Sequence, residues 1–118
     1  MNEIELLKVA DAVDATPPEN FNMRSWKCDS VVCAIGSYCQ QNPNSPLKLE
    51  VGDVYGIGVP VFHRSLRYKS TGYEAVSDFF VIDTDDSEYL FSSLSYESSA
   101  VERSIVSARI RRFVSENK

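Results

Sequence analysis

The sequence has no apolar run longer than a few residues. Val31-Val32-Cys33-Ala34-Ile35 is typical, whereas a membrane-spanning helix needs about 20. The first residues, Met1-Asn2-Glu3-Ile4-Glu5, have neither the basic start nor the apolar core of a secretory signal. We therefore expect a cytoplasmic protein without a membrane partner. Histidine occurs once, at His63, so a thiolate nucleophile would have a single candidate base. That base lies in the basic stretch Phe62-His63-Arg64-Ser65-Leu66-Arg67, which reads as a solvent-facing loop rather than a cleft. Glycine is scarce: Gly52, Gly56 and Gly58 lack the Gly-Lys-Ser/Thr ending of a phosphate loop and the dinucleotide fingerprint. They read as turn glycines. Positive charge is missing altogether between Glu74 and Glu97.

What is present is the composition of a globular domain. The 118 residues are 43% hydrophobic and 25% charged, enough apolar surface to offset chain entropy within one domain, 1–118. The formal charge of −5 argues against non-specific nucleic-acid binding.

Periodicity predicts mostly helices. From Asn2 to Asp14, Leu6, Val9, Ala10 and Val13 form one stripe opposite Glu5, Lys8, Asp11 and Asp14, and Thr16-Pro17-Pro18 ends the helix. Phe21, Met23 and Trp26 read as core anchors. Ser30 would cap a second helix reaching Cys39 or Gln40, with Val31, Ala34, Ile35 and Tyr38 at helical spacing. Alternation at Leu47, Leu49, Val51 and again at Ile57, Val59, Val61 suggests a small hairpin within 47–62, with Pro60 confining its strand to an edge. Ala75, Val76, Phe79 and Phe80 mark a third helix, and Thr84-Asp85-Asp86-Ser87 starts a fourth. Ser99-Ala100-Val101-Glu102 has the form of a capping box for a last helix to about Ser115. That helix has two apolar strips, one of Val106, Ile110, Phe113 and Val114, the other of Val101, Ile105 and Ala108. Such a helix is sandwiched in the core or shared with a second subunit, and it is where a homodimer would form. The expected fold is mainly α, a small domain of 4–5 helices with a short hairpin. Trp26, Cys33, Ile35, Phe79, Phe80, Ile110 and Phe113 should be buried.

Three groups of residues carry candidate chemistry. Cys28, Cys33 and Cys39, with His63, offer ligand types that zinc accepts. The odd thiol count suggests no disulfide framework, and the spacing is not that of a zinc finger. On one continuous helix Cys33 and Cys39 would point about 240° apart, and Cys28 and Cys39 would be separated by roughly 16 Å. The thiols therefore read as core residues, zinc is the alternative, and no cofactor is expected. Arg64, Arg67 and Lys69 form a basic loop, the alternative contact for nucleic acid. The seven acids Glu74, Asp78, Asp83, Asp85, Asp86, Glu88 and Glu97 could face a basic partner, with Asp83, Asp85, Asp86 and Glu88 at the centre, or simply form a solvated face. Counted from Asp83, a calcium loop would want glycine sixth and glutamate twelfth, where Glu88 and Leu94 stand. Acid at a helix start already favours the helix dipole.

Phe21-Asn22-Met23-Arg24-Ser25-Trp26-Lys27-Cys28-Asp29-Ser30-Val31-Val32-Cys33-Ala34-Ile35-Gly36 resembles a group of small bacterial and phage proteins. Their pattern is Phe-x-Met-x-x-Trp-x-Cys-Gly-Thr-x-x-Cys-x-x-Gly. Phe79-Phe80-Val81-Ile82, Leu90-Phe91 and Arg109-Ile110-Arg111-Arg112-Phe113 fill later places of the same pattern. Asp29-Ser30 departs from its Gly-Thr, and Ser37 stands where His or Trp is common. The group carries no assigned activity. The resemblance implies a helical cytosolic protein, phage- or prophage-borne. With no nucleophile, base and orienting group to assemble, we expect a non-enzymatic module that binds a protein partner, such as an inhibitor of a host or defence protein.

Overall fold

The computed structural model describes every residue except Ser25, Asp29, Ser30, 52–57, Arg64 and Leu66; the side chains of Lys27, Cys28 and Val51 also lie outside the description. Helix α1 (Glu3–Ala15) buries Leu6, Val9, Ala10, Ala12 and Val13, the stripe its periodicity predicts. It stops at Thr16, whose extended backbone precedes Pro17 and whose hydroxyl donates to the Ala12 carbonyl at 2.9 Å. A 3-10 turn (Pro18–Asn20) leads to strands β1 (Lys27–Cys28) and β2 (Val31–Val32), followed by α2 (Ala34–Gln41). Next come β3 (Leu47–Val51), β4 (Gly58–His63) and β5 (Lys69–Thr71). Helices α3 (Gly72–Phe80) and α4 (Thr84–Phe91), a 3-10 turn (Ser93–Ser95) and α5 (Arg103–Glu116) complete the chain.

The expected 4–5 helices are present as five, but a small antiparallel sheet joins them, so the architecture is mixed helix and sheet rather than purely helical. The expected hairpin forms between β3 and β4, from Leu47 opposite Phe62 to Val51 opposite Gly58, and its turn lies outside the described residues. It does not stand alone, however. On the other flank of β4, Gly58 pairs with Lys27 of β1, Val61 to His63 pair with β5, and β2 extends the sheet beyond β1. Strand β4 is therefore central, which corrects the edge position expected from Pro60. Pro60 stands opposite Leu49 of β3, but on the other flank it falls with Val59 between the stretches paired to β1 and β5, so no ladder on that side needs its missing N–H.

Two helix starts also differ. Val31 and Val32 are extended, not helical, and α2 begins after Cys33 with no side-chain cap. β-branched residues favour that state once a strand is there to pair with. At the other end, the Ser99 carbonyl accepts from Met23 N at 2.9 Å. Ser99 and Ala100 form a turn at this tie, and α5 starts only at Arg103, after the extended cap residue Glu102, so the capping box does not form.

Helix α1 packs between α5 and α2, and α3 lies across β4 and β5. Their shared core holds Cys33, Ile35, Phe79, Phe80, Ile110 and Phe113 as expected, but Trp26 is only half-buried, its ring against Tyr73 with centroids 4.8 Å apart. The first strip of α5 is buried. Of the second, Val101 precedes the helix and is half-buried, while Ala108 and Ile105 (50% exposed) face solvent. The arginines of α5 spread around it because each has a separate task. Arg111 pairs with Asp11 and Asp14 at 2.9 and 2.8 Å, Arg103 donates to the Asp14 and Thr16 carbonyls, and Arg112 pairs with Glu116.

Helix α3 ends on Val81 in the left-handed region (φ 56°). Glycine usually fills this capping position, because a side chain there costs roughly 1–2 kcal/mol. Val81 is 64% exposed, so little packing offsets the strain. V81G is expected to raise unfolding free energy by about 0.5–1 kcal/mol after the entropy of an unfolded glycine is subtracted. Urea denaturation of the two proteins checks the sign.

Candidate partner-binding surface

Asp83 caps α4, its carboxylate accepting from Asp86 N at 2.8 Å. Asp86 is half-buried, and its carboxyl is pushed up by burial and then by the charges of Asp83 and Asp85. These two residues are thus engaged at the helix start, where acid offsets the dipole. Asp85 shares that first turn, but neither its carboxylate nor that of Glu88 accepts a hydrogen bond among the described residues. Both are exposed and neither makes an ion pair among the described residues. They border a groove of about 430 Å³ that also has Tyr73, Tyr89, Ser92, Leu94 and Ser95 in its lining.

The aromatic walls of this groove are fixed from behind. Tyr73 rests on Trp26, and its hydroxyl is raised above the usual tyrosine range by burial and then, against the bond to Ser92, by the charges of Cys33 and Glu88. Tyr89 has the Arg109 guanidinium 4.4 Å from its ring centroid, and the same guanidinium lies 3.8 Å from that of Tyr96. Arg109 also donates to the Tyr89 and Ser95 carbonyls at 2.8 and 3.0 Å. Tyr89 nevertheless remains 48% exposed and Leu94 94% exposed. Leu94 follows α4 in the 3-10 turn, which the Ser92 hydroxyl caps by accepting from Leu94 N.

Of the acids singled out in the sequence, the structure places Asp85 and Glu88 in the groove and gives Asp83 and Asp86 to the helix terminus. Tyr73, Tyr89, Leu94 and Arg109 were not anticipated. The charge run pointed to the α4 end of this surface, but nothing local connects it to Tyr73 or to Arg109. In the basic loop, Arg67 and Lys69 are exposed and Arg64 lies outside the described residues. Tyr68 ties this loop to α3 by donating to Glu74 at 3.1 Å.

The two described thiols, Cys33 and Cys39, both take packing places in the fold. Cys33 is a buried cap residue of α2, with its thiol pushed up to about 11 by burial. Cys39 donates to the Leu47 carbonyl at 3.6 Å and is pushed up to about 12, again by burial first. Both stay protonated at neutral pH, the state of packing thiols rather than nucleophiles. His63 ends β4 and is exposed, 3.5 Å from Glu50. The Cys28 side chain, on which a zinc site would depend, is outside the description. Among the described residues, no three His, Cys, Asp or Glu gather closely enough to hold a metal.

A larger cleft, about 610 Å³, opens between α1, α2 and residues 42–46. Its central polar groups bond one another: the Tyr38 hydroxyl donates to Glu5 and meets Ser45 Oγ at 2.8 Å, and Lys8 pairs with Glu5 at 3.0 Å. We read it as a brace between helices. The Tyr38 bond holds the Glu5 carboxyl below its ordinary 4.5. A carboxylate lowered by folding stabilises above its unfolded value and loses that contribution as pH falls through the folded one. Stability should therefore decline on acidification below about 4.5, and E5Q should flatten part of that decline. Among the described residues Asp14 contributes in the same sense, its desolvation by burial being outweighed by the bonds to Ser107 and Arg111. Thermal melts from pH 6 to pH 3 check this, and an unchanged acid limb in E5Q would refute it.

Compared with known proteins, the chain matches no family model, no curated protein and no solved structure. Among the described residues, no helix is long and apolar enough to cross a membrane.

Proposed function

We propose that this chain is a non-enzymatic module that acts by occupying the surface of a protein partner. The observation that carries the reading is the outer face of α4, where two uncompensated carboxylates, Asp85 and Glu88, border an exposed tyrosine and an almost fully exposed leucine. Exposed apolar side chains rimmed by charge are the composition of an interaction site. Unpaired acid selects a basic partner and speeds encounter with it. The resemblance to small bacterial and phage proteins extends the proposal to an inhibitor of a host or defence protein.

The test compares the immobilised protein with its D85K/E88K variant in a bacterial lysate. Both positions are solvent-facing, but Asp85 lies in the first turn of α4, so the variant should melt slightly lower and still be folded at the temperature of the assay. The wild type is expected to retain proteins that the charge-reversed chain releases, with retention weakening as salt is raised. Identical retained sets would overturn the proposal.

A further inference from the structure

The groove on α4 has a composition that narrows the partner's chemistry. Asp85 and Glu88 are three residues apart on one helix and so share a face. Tyr73, Tyr89 and, from the 3-10 turn, Leu94 line the same groove. We infer that this groove receives an arginine side chain presented by a partner protein, an inference that rests on the protein-binding reading above.

Charge is the first argument. Two positive groups approach Tyr89 from α5, Arg109 and Arg112. Arg112 is neutralised by Glu116 at 2.9 Å, and Arg109 is turned to backbone carbonyls. Against that single unneutralised cation stand Asp83, Asp85, Asp86 and Glu88, none in an ion pair among the described residues. The face remains net negative and complementary to a guest cation.

Shape and surface chemistry favour arginine over lysine. The molecule already stacks a guanidinium on the inner side of Tyr89, 4.4 Å from the ring centroid, while almost half of this residue stays open to solvent. A planar guanidinium can lie on a tyrosine face and still offer its fork to a carboxylate, which a compact ammonium cannot do. Leu94, 94% exposed, supplies apolar surface for the guest's aliphatic stem or a flanking residue.

The experiment titrates the full-length, isotope-labelled protein with three capped peptides that differ only in their central residue: arginine, lysine or glutamate between two leucines. Amide shifts on the arginine peptide should centre on Asp85, Glu88, Tyr89 and Leu94. Affinity should fall about tenfold with lysine and vanish with glutamate, and D85N/E88Q should weaken arginine binding by tenfold or more. Y89L should erase the preference for arginine over lysine. Equal arginine and lysine affinities, or shifts centred elsewhere, overturn the inference. If the peptides do not bind but lysate capture still depends on Asp85 and Glu88, the arginine inference falls and the protein-binding reading stands. If the arginine peptide binds this groove while lysate capture is indifferent to both acids, the site stands and the protein-binding reading falls.

Discussion

Gly36→Ala is expected to unfold the protein or leave it without fixed tertiary structure. A methyl group at Gly36 would lie 2.2 Å from the Trp26 carbonyl oxygen and 2.8 Å from Val32 Cβ. The first contact is with backbone, which cannot rotate aside. That carbonyl also accepts from Cys33 N at 3.3 Å, so moving it breaks the join between the Trp26 segment and the start of α2. Ordinary overpacking costs about 1–3 kcal/mol; with backbone displaced on both sides, the loss should exceed about 3 kcal/mol, much of a small domain's total stability of roughly 5–15. Gly72→Ala is the control. Gly72 has a positive φ of 62° and nothing within 4 Å of the added carbon, so it should lose only the backbone strain of about 1–2 kcal/mol. Urea titrations and near-ultraviolet dichroism of the single tryptophan measure both. Equal effects at the two glycines would refute the close-approach argument.

This local geometry gives the Trp-x-Cys…Cys-x-x-Gly segment a structural meaning. Cys33 fills buried space at the start of α2, its carbonyl receives both Ser37 N and Ser37 Oγ, and Gly36 admits the tryptophan's backbone. Part of this was legible in the sequence: an amphipathic period of 3.6 located α1 and α3, the cap-like Thr84-Asp85-Asp86-Ser87 located α4, and alternation located β3 and β4. What escaped depends on partners outside each element's own pattern. Val31 and Val32 fit a helical stripe as well as a strand, and only pairing with Lys27 and Cys28 decides between them. The Ser99 capping box was a sound local signal defeated by one distant donor, Met23 N. In the groove, Asp85 and Glu88 stand out as acids in a segment without cations, whereas Leu94 between serines gave no periodic signal. Tyr73 and Arg109 reach the surface through tertiary packing alone.

Arg109→Ala is expected to lower stability by about 2–4 kcal/mol although the side chain is only half-buried. Its guanidinium makes three hydrogen bonds, to the Tyr89 carbonyl at 2.8 Å, the Ser95 carbonyl at 3.0 Å and Ser95 Oγ at 3.1 Å. It also lies against the rings of Tyr89 and Tyr96. Hydrogen bonds from a charged donor contribute roughly 1.5–3 kcal/mol, and a partly desolvated cation–π contact about 1–2; shared geometry keeps the total below their sum. The Tyr89 carbonyl keeps a second donor, Ser95 Oγ at 2.7 Å, so the main loss falls on the Ser95 carbonyl and the two rings. Arg109→Lys should recover less than half, because an ammonium cannot stack and reach both carbonyls at once. Urea denaturation measures the loss, and amide exchange from Tyr89 to Tyr96 should quicken in the alanine variant. A change under about 0.5 kcal/mol would mean that solvent replaces the clamp at no cost. The result also bears on binding. Arg109 does not line the α4 groove, but it holds Tyr89 and Ser95, which do; if it positions them, R109A must weaken the arginine peptide even under conditions where the variant is fully folded.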